Sequence, residues 1–308
     1  MKILIIGGTG MIGGHAATHL AAEGHDVTLA ARKAPAPTTP MAHFKLLIGD
    51  YTQGDFSEAQ LAPFDAILFA AGNDIRHLPR GTDQNEFWDK MQIDGVPNFI
   101  AKARDAGVKG VVQLGSYYHQ VMPNLIDTNP YVRARHLADE KARALATKDF
   151  NVCTLNPPSI VGVTPGIPSP RYEKLMAYAR GELPNAPLFA PPGGTNYMSV
   201  LSLCEAISGA LQRGESGKAY LVGDENMTFQ QYFQSLCDAV GNPHRIEIRD
   251  QEHPLLPDAF IVPGRGVILA YEPDAPETAL LGYRRNDVQR AIREVFDIAS
   301  ANAKPAAA

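Results

Sequence analysis

The sequence predicts an α/β fold, a doubly wound parallel sheet followed by a smaller C-terminal cap. Three observations predict it. Short apolar runs without strict alternation recur through the first half, as strands buried on both faces require. Helical runs separate these strands one by one. The first strand passes directly into a glycine-rich turn that opens a helix.

Taken in order, Lys2–Ile6 (KILII) is a short buried strand. A helix over 11–23 follows, stopped by Gly24. Residues 26–31 (DVTLAA) form the second strand, and the Pro/Thr-rich stretch 34–40 is loop. Residues 44–48 and 64–70 are the third and fourth strands. Residues 87–106 read as one helix ended by Gly107. The fifth strand is 110–114, a helix occupies 131–147, and the sixth strand, 152–155, runs into Asn156-Pro157-Pro158. Right-handed crossovers then wind the sheet on both faces.

After Gly162 the pattern changes. Prolines crowd 163–194, interrupted by a helix over 171–180. Residues 199–213 read as a helix returning onto the sheet, and 218–222 as one more strand. The remainder reads as short helices and loops. The expected organisation is therefore a nucleotide-binding domain over 1–165, with 195–223 returning to it. A cap follows, mainly over 166–300, and then a flexible tail over 301–308, within an Ala-rich stretch that begins at 299.

Composition narrows the function classes. The 308 residues are 45% hydrophobic and 20% charged, an ordinary globular balance. A formal charge of −5 argues against nucleic acid as the main partner. No apolar run reaches the roughly 18 residues that span a bilayer. The apolar start breaks at Gly7-Gly8, too early for a secretory leader, so a cytoplasmic protein is expected. Three widely spaced cysteines, Cys153, Cys204 and Cys237, fit neither a disulfide framework nor a zinc cluster. His15 and His19 have the i, i+4 spacing of a metal pair but lack the companion glutamate, so they read as a helix face and no metal is expected.

Chemistry concentrates in the first turn, Gly7-Gly8-Thr9-Gly10-Met11-Ile12-Gly13. Gly7 permits the tight exit from the strand, Gly10 lets backbone approach a pyrophosphate, and Gly13 lets the helix close on the sheet. The helix then directs unpaired N–H groups at the phosphates, with Thr9, Met11 and Ile12 lining the turn. This is the phosphate loop of a Rossmann domain. The second strand ends Ala31-Arg32-Lys33, with no acid to hold ribose hydroxyls and two cations suited to a 2′-phosphate, so NADP is expected rather than NAD. Asp50 and Tyr51 are placed to meet the adenine edge. Ala70, Ala71 and Gly72 are small enough for a ribose to lie against backbone.

These segments resemble the extended short-chain dehydrogenases/reductases of the NAD-dependent epimerase/dehydratase group. The resemblance rests on GGTGMIGG at 7–14, GD at 49–50, AAG at 70–72, GVVQLGS at 110–116, YVRARHLADE at 131–140 and NPPS at 156–159. Residues 191–230 are similar to the dihydroflavonol-reductase-like branch. The resemblance implies a Ser–Tyr–Lys set, with Ser116 donating to a substrate carbonyl and Tyr131 moving the proton. It also implies that Pro157, Pro158 and Ser159 border the coenzyme.

The chain departs from that pattern at one position above all: Arg135 stands where the lysine is expected. Arg135 lies on Tyr131's helix face and can supply charge and hydrogen bonds to the nicotinamide ribose, but it is bulkier and planar. Gln92 and Ser202 are smaller departures, from Asn and Asp. Tyr117, Tyr118 and His119 follow Ser116 and are expected near substrate, His119 as an auxiliary acid. In the cap, Tyr172, Met176 and Tyr197 suit an apolar or aromatic substrate wall, or equally the cap's own core. Arg171 and Asn196 are the strong candidates there for a sugar nucleotide. Three functions stay open: an NADP-dependent reductase or dehydrogenase acting on a small molecule, a nucleotide-sugar epimerase or dehydratase, and a non-catalytic dinucleotide-binding regulator. The resemblance further implies a homodimer through the helices at 87–106 and 131–147.

Overall fold

The computed structural model describes residues 1–79, 81–184 and 186–303. They form two compact units, one of Met1–Pro157, Leu201–Val222 and Pro273–Arg284, the other of Pro158–Val200, Gly223–Glu272 and Arg285 onward.

The first unit is built on a seven-stranded sheet. Its strands are β1 (Lys2–Ile6), β2 (Asp26–Ala31), β3 (Lys45–Ile48), β4 (Ala66–Phe69), β5 (Gly110–Leu114), β6 (Asn151–Asn156) and a last one at Ala219–Leu221. All pair in parallel, in the order Ala219–Leu221, β6, β5, β4, β1, β2, β3. The chain winds outward from β1 to β3, then crosses back to place β4 on β1's other side. That reversal opens a crevice at the carboxyl end of β1, where doubly wound sheets bind ligands. The predicted fold class is present, with helices such as α1 (Met11–Ala22) covering the sheet. Leu4, Ile67, Val152 and Phe99 belong to one fully or nearly fully buried core. Burying each such side chain contributes about 1.5–3 kcal/mol.

The helix expected over 87–106 is not continuous. A short helix, Gln84–Trp88, leads into a π-helical turn at Asp89–Ile93, and a new helix starts at Gly95 and ends at Asp105. Pro97 lacks an N–H and suits only a first turn, which forces the restart. Gly95 permits it, since a Cβ there would meet the Lys90 carbonyl oxygen at 2.3 Å. The helix expected over 131–147 spans Pro130–Arg143. Asn129 caps it, its side chain accepting from the Tyr131 and Val132 amides at 3.0 and 3.2 Å, and Pro130 occupies the favoured first position.

The second unit holds more regular structure than its sequence suggested. Ser159–Val161, Gly194–Ser199 and Glu225–Thr228 form a three-stranded sheet. Around it lie the helices Pro170–Ala179, Phe229–Ala239 and Val288–Ala303. The last of these buries Val288, Ala291, Ile292, Val295, Phe296 and Ala299, a helical spacing of apolar residues. It carries the chain three residues into the expected tail, and the rest of that tail lies outside the described residues. Among the described residues no helix is long and apolar enough to cross a membrane.

Candidate functional site

The glycine turn is a backbone cradle. Gly7 has φ +80°, and a Cβ on it would lie 2.9 Å from Ala71 Cα. A Cβ on Gly13 would lie 2.3 Å from the Gly7 carbonyl oxygen. The turn is pinned by Gly7 N–H and Gly8 N–H donating to the Ala30 carbonyl at 2.9 and 3.2 Å. Gly10 is the N-cap of α1 and is exposed. No side chain caps that end, and no acid lies in the first turn. The partial positive charge of the helix start therefore remains available to an anion. Thr9, Met11 and Ile12 are each half-buried along it.

At the end of β2, Arg32 and Lys33 are exposed, and neither forms an ion pair among the described residues. Asp50 is partly committed locally, since its Oδ1 accepts from Thr52 N–H at 2.9 Å and Thr52 Oγ1 at 2.8 Å. Tyr51 is an anchor rather than an open edge. Its hydroxyl donates to the Met91 carbonyl at 2.7 Å, its ring meets Phe69 edge-on at 5.0 Å, and burial pushes its phenol well up. Ala70 and Ala71 are half-buried and Gly72 is exposed.

Ser116, Tyr131 and Arg135 come together at the carboxyl end of β5. All three are buried. Burial raises the Tyr131 phenol above its usual value, while the Arg135 charge and the Ser116 hydroxyl oppose that rise. Arg135 is held on several sides. It donates through Nη2 to the carbonyls of Leu114, at 2.9 Å, and Gly115, and through Nη1 to Gln92 Oε1 at 3.3 Å. Its Nε and the Gln92 Nε2 are buried donors without a partner among the described residues. Gly72 leaves room for it, since a Cβ there would lie 3.2 Å from Nη1.

The neighbours expected near substrate separate. Tyr118 is half-buried, with its ring 6.2 Å from Tyr131's and 4.3 Å from that of buried Tyr117. Burial raises the Tyr118 phenol strongly. His119 is engaged elsewhere, its Nε2 3.0 Å from Oδ2 of Asp139, a carboxylate with no exposed surface. Asp139 also receives Arg143 Nε at 2.6 Å and Asn156 Nδ2 at 3.3 Å. Burial alone would raise Asp139, but the His119 and Arg143 bonds prevail and hold it at about 2. Sequence reasoning missed this cluster, although a charged residue four positions after Arg135 on a buried face was a signal. It also missed Asp74, whose carboxylate accepts from Arg76 Nε at 3.0 and 3.1 Å and whose charge reaches Tyr118 and Tyr131. No spacing in the sequence announced it.

Pro157 closes β6 and is buried, as is Pro158. Ser159 starts the first strand of the second unit. In that unit Tyr172, Met176 and Tyr197 belong to the buried core, Tyr197 stacked on Tyr232 at 4.6 Å. Asn196 is fully buried and engaged, its Nδ2 donating to Asn226 at 2.8 Å and its Oδ1 accepting from Asp224 N–H at 2.9 Å. Arg171 is exposed, with its guanidinium 5.8 Å from the Tyr172 ring centre. The three cysteines are buried, each with its thiol pushed up by burial. Among the described residues no cluster of His, Cys, Asp and Glu could hold a metal ion.

The residues present fit a dinucleotide. The cradle has no room for a side chain at Gly7 or Gly13, the helix start is uncapped, and Arg135, one turn on from Tyr131, keeps an orphaned buried Nε among the described residues.

The sheet order, with a glycine turn at its reversal point, is that of a Rossmann-type α/β protein. The model of the NAD-dependent epimerase/dehydratase family matches residues 3–223, and the chain belongs to that family. A protein of Synechocystis sp. named as a dihydroflavonol 4-reductase is 22% identical over 259 residues, covering 78% of this chain and 72% of its own. The UDP-glucose 4-epimerase of Neisseria meningitidis serogroup B is 23% identical over 249 residues, 68% of this chain and 73% of that one. Among solved structures, the UDP-glucose 4-epimerase of Thermotoga maritima with UDP-glucose aligns at a TM-score of 0.76 and 15% identity, covering 99% of this chain and 100% of that one. At that identity the likeness speaks to the fold.

Proposed function

We propose that the chain is a cytoplasmic NADP-dependent reductase or dehydrogenase that interconverts a carbonyl and an alcohol on a small apolar or aromatic substrate. The observation that carries this reading is the burial of Ser116, Tyr131 and Arg135 together at the carboxyl end of β5, with Arg135 one helical turn on from Tyr131. Gly7, Gly10 and Gly13 would hold the pyrophosphate, and Arg32 with Lys33 the 2′-phosphate. Bound there, the coenzyme would supply or accept the hydride. In reduction Tyr131 gives its hydroxyl proton to the carbonyl oxygen, and Ser116 donates a hydrogen bond to the same atom. Arg135 supplies positive charge that favours the phenolate left behind.

Two further observations support the choice of substrate and coenzyme. Asn196, a candidate for a sugar nucleotide, has its amide taken up within its own unit. Among the described residues the exposed cations at the end of β2 have no carboxylate partner, as a 2′-phosphate site needs. A homodimer through the helices Gly95–Asp105 and Pro130–Arg143 belongs to the same proposal and is testable by sedimentation.

The test is to incubate the purified chain with NADPH and a panel of aromatic ketones and aldehydes, with Tyr131→Phe as control. Coenzyme oxidation well above the control supports the reading. Isomerisation of a UDP-sugar with no net coenzyme oxidation, in a parallel incubation, would instead indicate an epimerase. Tight NADPH binding without any turnover would favour a dinucleotide-binding regulator, a role consistent with the Arg135 guanidinium being tied to backbone carbonyls.

A further inference from the structure

We propose that Arg76 is a specificity-determining residue that binds a carboxylate on the substrate, so that the compound reduced is an aromatic carbonyl compound bearing an acid group. The inference rests on the reading of Tyr131 as proton donor and names the substrate class more narrowly. It begins with the path of the chain after β4. That strand lies between β1 and β5, so the chain leaving its carboxyl end enters the crevice where doubly wound sheets bind ligands. Successive residues then border the site. A Cβ on Gly7 would lie 2.9 Å from Ala71 N, a Cβ on Gly72 would lie 3.2 Å from Arg135 Nη1, and Asn73 Nδ2 is 3.5 Å from the Tyr51 hydroxyl. Asp74 and Arg76 come next along this path.

Arg76 is anchored there. Asp74 caps the short turn Ile75–His77. Its carboxylate accepts from the Arg76 amide at 2.8 Å, from Arg76 Nε at 3.0 and 3.1 Å, and from Arg76 Nη2. The Asp74 amide donates to His77 Nδ1 at 3.0 Å. Burial alone would raise Asp74, but the His77 and Arg76 bonds prevail and hold it well below the usual carboxylate range. The anchor therefore stays charged through neutral pH. Both charges act on the buried Tyr131 phenol, Asp74 raising it and Arg76 lowering it, an influence that needs proximity.

An exposed ion pair contributes little to stability, so the fold does not account for this one. Its geometry suits recognition. Asp74 grips one edge of the guanidinium, through Nε and Nη2, and fixes its plane. The Arg76 side chain is nonetheless 49% exposed. A planar fork already held in place loses little freedom on binding, and its shape matches a carboxylate. Tyr131 and Ser116 then take the carbonyl oxygen of the substrate, and Arg76 takes its acid group. Tyr118, half-buried with its ring centred 6.2 Å from that of Tyr131, offers aromatic surface to the body that joins them.

Matched pairs of substrates test this. Phenylglyoxylate, 3-acetylbenzoate and 4-acetylbenzoate are each compared with the corresponding methyl ester by NADPH oxidation. At least one acid is expected to exceed its ester in kcat/KM by about tenfold or more. Arg76→Leu is expected to lower that ratio about tenfold, and the ratio cancels whatever the substitution does to Tyr131. Removing Arg76 also uncovers the Asp74 charge, which by itself repels an acid. The double variant Asp74→Asn, Arg76→Leu separates the two effects and is expected to keep the ratio about fivefold or more below the parent's. Esters reduced as well as acids by the parent, a ratio untouched by Arg76→Leu, or a ratio restored in the double variant would each overturn the proposal. So would a Kd for NADPH raised as much as the KM for the acid, which would assign Arg76 to the coenzyme's phosphates.

A second readout needs no turnover. Calorimetric titration of each acid into the protein in the presence of NADP is expected to show binding of at least one, about tenfold weaker in Arg76→Leu. Arg76→Gln repeats the measurement should Arg76→Leu fail to fold. Equal affinity in parent and variant, or no uptake of any acid, overturns the proposal. An inactive parent would sink the proposed reaction, while this titration would still decide the role of Arg76.

Discussion

Gly10→Ala separates what the fold needs from what a ligand needs. Gly10 has φ −77° and ψ 169°, an extended conformation open to any residue. A Cβ on it would have the Gly7 carbonyl oxygen as its nearest neighbour, at 3.2 Å, a contact relieved by a shift of a few tenths of an ångström. The stiffer unfolded chain of alanine contributes about 0.4–1 kcal/mol in the other direction. Stability should therefore change by less than about 1 kcal/mol, and Tm by no more than about 4 °C. Gly13→Ala is the opposite case. Its Cβ would sit 2.3 Å from a backbone oxygen, and the turn itself must deform. If a pyrophosphate rests on the turn, the Gly10 methyl enters its contact surface. Overpacking of that kind costs about 1–3 kcal/mol, roughly a fivefold to 150-fold loss of NADPH affinity. Calorimetric titration with NADPH and a thermal melt on the same sample read both quantities. A Gly10→Ala protein with parent-like Tm and parent-like Kd would refute the placement of the phosphates.

Arg32→Ser should weaken NADPH binding about tenfold or more and leave NADH within about twofold, because only NADPH carries the 2′-phosphate; equal weakening of both would remove Arg32 from the site. Tyr131, its phenol raised by burial, should stay protonated through neutral pH. Reduction should then be independent of pH from about 6 to 9, while oxidation, which needs the phenolate, should climb with pH through that range. Ser116→Ala removes a hydroxyl that lowers the Tyr131 phenol, so the oxidation limb should move to higher pH; a limb that levels off below about pH 8 would argue against Tyr131 as the base. Asp139, held at about 2 in the fold, contributes stability that is complete above its unfolded value near 4 and is lost as pH falls toward 2. Asp139→Asn should lower stability at pH 7 by about 2 kcal/mol and flatten the dependence between pH 4 and 2, as read by urea melts across that window.

How much the sequence disclosed depends on what set each feature. β1, β2 and β5 stand where their apolar runs stand, because each run is bounded by glycine or charge and buried whichever neighbour it meets. The break at Gly95 and Pro97 was missed because helical periodicity continues across it; only the π-helical turn reveals the change of register. The strand Gly194–Ser199 buries Thr195, Asn196 and Ser199 along with its apolar residues. Its alternation is invisible, since both faces are covered. At the site, chain order alone aligned Ser116, Tyr131 and Arg135. The partners of Arg135 could not be read, because two of them are main-chain carbonyls and carry no side-chain signal. The helical pattern at Val288–Ala303 was legible and went unread amid the prolines and glycines around it.

The electrostatics of Tyr131 bear on the direction of the reaction. Its phenol faces two opposed influences, and the larger is burial, which favours the neutral form. Arg135 and Ser116 act against it without prevailing. A resting enzyme at neutral pH therefore presents a proton donor, the form that reduction needs. Oxidation would have to begin by removing that proton from a buried site. Arg135 matters most at the opposite end of the proton transfer, once charge has appeared on the phenolate oxygen. A fixed cation then stabilises the charged form without having to reorganise. A guanidinium tied to Leu114, Gly115 and Gln92 meets that requirement better than a mobile ammonium. On this reasoning Arg135→Lys should not improve catalysis, even though it restores the residue type that the family pattern leads one to expect. Faster carbonyl reduction by Arg135→Lys than by the parent, measured at saturating NADPH, would show that placement counts for less here than the identity of the charge.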